Sequence, residues 1–122
     1  MLDVALFSGD DHIAEKVQRA LSFASPKVER VHLQPSMRGD ALAKPCDLIV
    51  LDPAQLDLQE RINCERIVRL NEATPSIAIV TDQQTNEAVH LLNAGVDRFL
   101  VESFDEQYFG ALVRALVRRR HG

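Results

Sequence analysis

The residues best suited to chemistry in this chain are polar side chains that follow short apolar segments. Asp10 and Asp11 come shortly after the first such segment, Asp52 directly follows the run 48–51, and Thr81 directly follows the run 77–80. Unbroken apolar runs are typical of strands buried on both faces of a parallel sheet. Ligands of open α/β sheets bind beyond the carboxyl ends of the strands. A carboxylate at the carboxyl end of a strand, such as Asp52, is in a suitable position to accept a phosphoryl group.

Five apolar segments alternate with amphipathic segments along the chain. Strands are predicted over residues 3–8, 28–33, 47–51, 76–80 and 98–101. Helices are predicted over residues 11–23, 36–43, 58–72, 86–93 and 105–120. The composition of the second helix would suit a loop almost as well. The alternation predicts an α/β fold in which a doubly wound, five-stranded parallel sheet lies between two layers of helices, a three-layer sandwich.

The composition indicates one globular domain spanning residues 1–122. Hydrophobic residues make up 46% of the chain and charged residues 26%, which are ordinary globular values. The net charge of −4 argues against non-specific binding of nucleic acid. Two cysteines are too few for a disulfide framework, and no apolar run approaches the ~18 residues of a membrane span. We therefore expect a cytoplasmic location and no membrane contact.

The loop after the first predicted strand argues against a flavin- or nucleotide-binding enzyme. Such a site requires a loop rich in Gly, Ser or Thr that leaves room for phosphate. The sequence Ser8-Gly9-Asp10-Asp11 instead places two carboxylates there, and the chain contains neither a G-x-G-x-x-G nor a Walker motif. We expect no enzymatic activity.

The order of Asp52, Thr81, Ala94-Gly95 and Phe99 resembles that of the receiver domains of bacterial response regulators. The resemblance extends over essentially the whole chain and implies the CheY-like, flavodoxin-like fold. It implies that Asp52 is the position that accepts a phosphoryl group from the phosphohistidine of a histidine kinase. It also implies that Thr81 binds the phosphoryl oxygens and that Phe99 moves together with that hydroxyl.

Three positions depart from the pattern of the receiver family. Where the family ends its first strand with two adjacent acidic residues, this chain has Ser8 and Gly9. Where the family has a lysine after its fifth strand, this chain has Glu102, and the usual small residue after Thr81 is replaced by Asp82. All three changes remove metal ligands or positive charge, or add negative charge.

These departures predict that Asp52 is phosphorylated weakly or not at all. Phosphoryl transfer builds negative charge beside a carboxylate, which the family offsets with a cation and a lysine. The alternative is a working phosphoacceptor in which Asp10 or Asp11, with Asp52, binds Mg²⁺. No other cofactor is expected.

The resemblance implies a contact surface formed by the fourth helix, the fifth strand and the fifth helix. Leu91, Phe99, Tyr108 and Leu112 are predicted to lie on it. Because the fifth helix carries apolar residues on more than one face, part of it is expected to remain exposed for a protein partner. The partner is expected to be a histidine kinase, a regulatory protein or, in a homodimer, a second copy of the chain.

The output of such a module is less defined by the sequence. Residues 75–102 look like the receivers of ANTAR-type antiterminators, whereas residues 116–120 look like the junction before the winged-helix domain of an OmpR-like transcription regulator. A pilus-localisation ATPase with a degenerate receiver and a stand-alone adaptor are further alternatives. The chain is thus expected to be the N-terminal part of a longer regulator, with nucleic acid bound only by a C-terminal effector domain that this chain does not contain.

Overall fold

The computed structural model describes residues 2–31, 46–81 and 85–121. The residues in these ranges form five strands, β1 (Leu2–Phe7), β2 (Pro26–Arg30), β3 (Leu48–Leu51), β4 (Ser76–Val80) and β5 (Arg98–Val101). Four α-helices accompany them, α1 (Asp11–Ala20), α2 (Leu58–Leu70), α3 (Thr85–Ala94) and α4 (Glu106–His121). The helix predicted over 36–43, the end of the second predicted strand and Asp82 lie outside the described residues.

The five strands form one parallel sheet in the order β2-β1-β3-β4-β5. The predicted doubly wound α/β sheet is therefore confirmed. The chain passes from β1 to β2 on one side and then returns to the other side of β1 for β3. In such sheets, a crevice opens at the carboxyl ends of the strands where the winding changes direction. Phe7 lies opposite Leu51 in the β1–β3 pair, so the residues that follow them reach the same edge.

The helices cover both faces of the sheet and create two core layers. In the first layer α1 and α4 pack on the sheet, and its largest fully buried side chains are Leu6, Leu21, Leu48, Ile77, Ile79 and Phe109. In the second layer α2 and α3 pack on the opposite face, and its largest fully buried side chains are Phe7, Ile49, Leu51, Ile67 and Leu91. Consecutive residues of a strand enter opposite layers, which explains why every residue of β3 and β4 is buried and why all of them except Ser76 are apolar.

The ends of the helices follow from local hydrogen bonds. Asp10 is the N-cap of α1, and its side chain accepts a hydrogen bond from the backbone N–H of His12 at 2.9 Å. Gly95 follows α3 with φ at +118°, the positive range that glycine tolerates best. The first helix ends earlier than predicted, because a 3₁₀ turn over Ser22–Ala24 and a left-handed Ser25 redirect the chain. None of the helices in the described part of the chain is long and apolar enough to cross a membrane.

The inner face of α2 does not include every apolar residue of the helix. Leu58 and Ile62 are 73% and 38% exposed. The buried residues of the helix are Asn63, Cys64, Ile67 and Val68. These residues recur at the three- and four-residue spacing of a single helical face, and Leu58 and Ile62 lie on another face.

Phe109 tests how strongly the first core layer holds the fold. Its ring is fully buried, and the centroid of the ring lies 5.0 Å from the centroid of the Phe104 ring. The neighbouring side chain of Tyr108 is 57% exposed. We expect Phe109→Ala to lower the free energy of unfolding by about 3–5 kcal/mol through the cavity it leaves. Tyr108→Ala should change it by no more than about 0.5 kcal/mol. Urea unfolding of both variants checks this, and equal losses would contradict the assignment of the buried face.

Candidate functional site

Asp52 lies at the carboxyl end of β3, in the centre of the sheet. Its backbone N–H donates to the carbonyl of Phe7 at 3.0 Å, which extends the β1–β3 pairing by one residue. The residue is 4% exposed. Its Oδ2 accepts a hydrogen bond of 2.7 Å from the Oγ of Ser8. The carboxylate predicted at this edge is therefore buried and already bonded to a neighbouring strand end.

Ser8 forms hydrogen bonds with three other residues at this edge. Besides donating to Asp52, its Oγ accepts a hydrogen bond from the backbone N–H of Asp10 at 3.0 Å. Its carbonyl accepts a hydrogen bond from Nη2 of Arg30 at 3.1 Å. The ends of β1, β2 and β3 are thus connected through one serine, which is itself 5% exposed. The resemblance to the receiver family implies an acidic position at Ser8, but the sequence did not predict this bond.

The pKa of Asp52 is raised, mainly because burial disfavours the charged carboxylate. The hydrogen bonds from Ser8 and from the backbone of Ala54 act in the opposite direction. The negative charges of Asp10 and Glu102 raise the pKa further. The surroundings of Asp52 therefore favour its neutral form more than water does.

The acidic residues of the first loop do not converge on Asp52. Asp10 caps α1, and the side chain of Asp11 is 86% exposed and pairs with Arg30. Among the described residues no group of three His, Cys, Asp or Glu side chains is arranged to hold a metal ion. Mg²⁺ prefers an octahedral set of oxygens that includes one or two carboxylates. The magnesium site that the sequence assigns to Asp10, Asp11 and Asp52 does not fit these positions.

Glu102, which the resemblance aligns with the lysine of the receiver family, is exposed just beyond β5. A lysine from another element approaches the same place. Nζ of Lys16 in α1 donates to the backbone carbonyl of Glu102 at 3.2 Å and lies 4.0 Å from the centroid of the Phe104 ring. The ammonium group is thus held by a carbonyl and an aromatic ring, and sequence patterns gave no indication of this contact.

Thr81 and Phe99 line a common hollow between α3 and β5. The hollow has a volume of about 210 Å³ and is otherwise lined by apolar side chains, which are Val80, Ala88, Val89, Leu92 and Val101. Thr81 is half-buried and Phe99 is 45% exposed. The two residues expected to act together are therefore brought together, on the α2–α3 side of β4 and β5.

The predicted contact surface is corrected at one residue. Leu91 is only 2% exposed and belongs to the second core layer, because its face of α3 turns towards the sheet. Its helical neighbours Val89 and Leu92 are exposed by 53% and 37%. Tyr108 is exposed as predicted, while Leu112 is half-buried against the first core layer.

Comparison of the sequence with known proteins finds response regulators. None of the known protein-family models matches the chain. The response regulator ArlR of Staphylococcus epidermidis is 27% identical over 120 residues, which are 98% of this chain and 54% of that protein. ArlR of Staphylococcus saprophyticus is 35% identical over 80 residues, which are 66% of this chain and 36% of that protein. The chain spans about half the length of the first of these relatives.

Comparison of the fold finds receiver domains. A two-component response regulator from Clostridium difficile superposes with a TM-score of 0.82 at 19% identity, covering 100% of both chains. A CheY-like receiver domain protein from Methanospirillum hungatei superposes with a TM-score of 0.79 at 16% identity, covering 99% of this chain and 97% of the other. These identities establish the fold alone. The chain therefore has the CheY-like fold of receiver domains, and its sequence is similar to that of response regulators over nearly its whole length.

Proposed function

We propose that the chain is an atypical receiver module of two-component signalling that acts through protein contacts and is phosphorylated weakly or not at all. The observation that carries the proposal is the 2.7 Å hydrogen bond between Ser8 and the buried Asp52. The carboxylate is bonded to a serine hydroxyl at a position where the resemblance to receiver domains implies an acidic metal ligand. The proposal includes neither a bound metal nor catalysis of a reaction by the chain.

The balance of charge around Asp52 supports the proposal. A phosphoryl group brings negative charge to the site, and the nearby charges of Asp10 and Glu102 are negative as well. The loss of a charge-assisted contact such as that from a lysine removes roughly 1.5–3 kcal/mol. Each ~1.4 kcal/mol lost in the transition state slows the reaction about tenfold. The combined changes are therefore large enough to suppress phosphorylation.

The exposed apolar side chains of α3, β5 and α4 support a role in protein contact. Val89, Leu92, Phe99 and Tyr108 are each exposed by more than a third. Exposed apolar patches of this kind mark interaction sites on proteins. We propose that a kinase, a regulatory protein or a second copy of the chain binds here. Because the relatives are about twice as long, we also propose that the module of residues 1–122 works beside an output domain.

A working phosphoacceptor is the second candidate function. It is favoured by the position of Asp52 at the strand edge and by the hollow that Thr81 shares with Phe99. In this case a histidine kinase would phosphorylate Asp52, and the output would be transcription or antitermination. The charges described above argue against it.

Phosphorylation can be measured directly on the intact protein. After incubation with acetyl phosphate and Mg²⁺, we expect the wild type to keep its unmodified mass. We expect the triple variant Ser8→Asp, Gly9→Asp, Glu102→Lys to be modified at least about tenfold more, because it regains two ligands and one cation. Adding Asp52→Asn should abolish that gain. A phosphorylated wild type beside an unmodified Asp52→Asn variant would establish the second candidate function.

The raised pKa of Asp52 predicts a pH dependence of stability. A carboxyl group whose pKa is higher in the folded than in the unfolded protein stabilises the fold below the unfolded value of 3.8, and this contribution is lost as the pH rises through the folded value. We therefore expect Asp52→Asn to be more stable than the wild type at neutral pH. The difference should shrink as the pH falls towards 3.8.

Denaturant unfolding of both proteins across this pH range checks the expectation. Glu15→Gln is the matched control, because Glu15 is an exposed carboxylate of α1. The control should show no comparable trend. A wild type that is more stable than Asp52→Asn at neutral pH, by an amount that grows with pH, would contradict the described surroundings of Asp52.

Self-association tests the apolar contact surface. We expect the domain to form a weak dimer in sedimentation equilibrium, and Val89→Lys to raise its dissociation constant by about tenfold or more. Leu58→Lys is the matched control, because Leu58 is more exposed than Val89 but lies on α2. Equal effects of the two substitutions, or a wild type that stays monomeric, would contradict self-association through this face.

A further inference from the structure

A second apolar depression lies far from Asp52, where the end of α4 passes the start of β1. Its volume is about 270 Å³. Leu2, Phe23, Val113 and Val117 form its floor, and Arg114 and Arg118 form its edge. We call this depression the Phe23 hollow. Phe23 belongs to the 3₁₀ turn that follows α1, so the hollow is part of the layer in which α1 and α4 pack together.

The ring of Phe23 is held in place although it is 43% exposed. Gly110 allows α4 to approach the end of α1 closely, since an added Cβ would lie 2.9 Å from the carbonyl oxygen of Ala20 and 3.3 Å from Cε1 of Phe23. On the other side, the guanidinium carbon of Arg114 lies 4.0 Å from the centroid of the ring. An exposed aromatic ring fixed in this way loses little conformational entropy when a partner covers it.

The edge of the hollow is positively charged on a protein of net charge −4. Residues 107–121 contain four arginines and no carboxylate. Neither Arg114 nor Arg118 pairs with a carboxylate of the described residues, whereas Glu106, at the start of α4, is paired with Arg19 at 3.1 Å. Attraction to a helix C-terminus acts within the last turn, and Arg114 precedes the end of α4 by about two turns.

We propose that the Phe23 hollow binds an acidic amphipathic peptide segment of a partner protein. An apolar side chain of the segment enters the hollow and contacts Phe23 and Val117, and its carboxylates pair with Arg114 and Arg118. Arginine binds carboxylates through two parallel hydrogen bonds, and aromatic residues with arginine are typical centres of binding energy in interfaces. The apolar floor favours a peptide with an apolar side chain over nucleic acid. The inference does not depend on whether Asp52 is phosphorylated.

A peptide library displayed on phage and selected against the folded chain tests the proposal. We expect the enriched peptides to combine Leu or Phe with several Asp or Glu residues. A synthetic peptide of the most enriched sequence, labelled with fluorescein, is then titrated with variants of the chain in fluorescence anisotropy. Phe23→Ala, Arg114→Glu and Arg118→Glu should each raise the dissociation constant by at least roughly tenfold.

Two controls separate binding from unfolding and from general electrostatics. Arg66→Glu makes the same charge change at an exposed arginine of α2 and should leave the affinity within about twofold. A peptide in which Glu is replaced by Lys should regain affinity for Arg118→Glu. Circular dichroism shows whether each variant is folded. If Phe23→Ala does not fold, Arg118→Glu still tests the proposal, because Arg118 lies outside the contact between Phe23 and Gly110.

Three outcomes would overturn the proposal. Enriched peptides without acidic residues would exclude the stated chemistry. Peptides that bind Phe23→Ala and Arg118→Glu as tightly as the wild type would exclude the stated place. Binding of a DNA or RNA duplex that is lost in Arg114→Glu, with no peptide enriched, would assign the arginines to nucleic acid.

Discussion

The parallel pairing of β1 with β3 is the constraint on which the rest of the site depends. It places Ser8 and Asp52 one residue beyond Phe7 and Leu51, at the same edge of the sheet and in hydrogen-bond contact. Because both residues are nearly excluded from water, their bond is stronger and more costly to break than it would be on the surface. What Asp52 can do therefore depends on the residue that follows β1. A serine donates a hydrogen bond, whereas a carboxylate would have to be neutralised by a cation.

The fold does not depend on whether a serine or a carboxylate follows β1. The two core layers are built from strand and helix side chains, such as Leu6 and Phe109 in one layer and Ile49 and Ile67 in the other, and none of them depends on the chemistry of the edge. Residues beyond the strand ends can consequently change while the sheet order stays the same. The chain can therefore keep the receiver fold although the residues after its strands differ from the metal ligands and the lysine of the receiver family. This agrees with the general rule that function belongs to sites and not to folds.

The sequence was sufficient for most of the fold because its signals are local and strong. β4 and β5 span residues 76–80 and 98–101, as predicted, and Gly95 marks the end of α3. The end of α1 was missed, since the left-handed conformation of Ser25 has no distinct signal in a serine. Leu91 was placed on the surface because two adjacent leucines leave the phase of a helix ambiguous, and only packing shows which of them faces the sheet.

The contacts of the site were less predictable because they join residues distant in sequence. Ser8 and Asp52 are 44 positions apart, and Lys16 and Glu102 are 86 positions apart. Strand register and helix packing bring the two members of each pair together, and the sequence pattern alone does not specify either of them. What could be read in advance was the type of residue that follows each strand.

The most direct test of this account is a titration of the ¹⁵N-labelled chain with Mg²⁺, followed by the amide signals of Ser8 and Asp52 in NMR spectra. The account predicts no saturable change at these signals, because Asp52 is bonded to Ser8 while Asp10 and Asp11 are engaged elsewhere. A saturable shift of both signals in the wild type that is lost in Asp52→Asn would show that the edge binds the metal, and it would contradict the account.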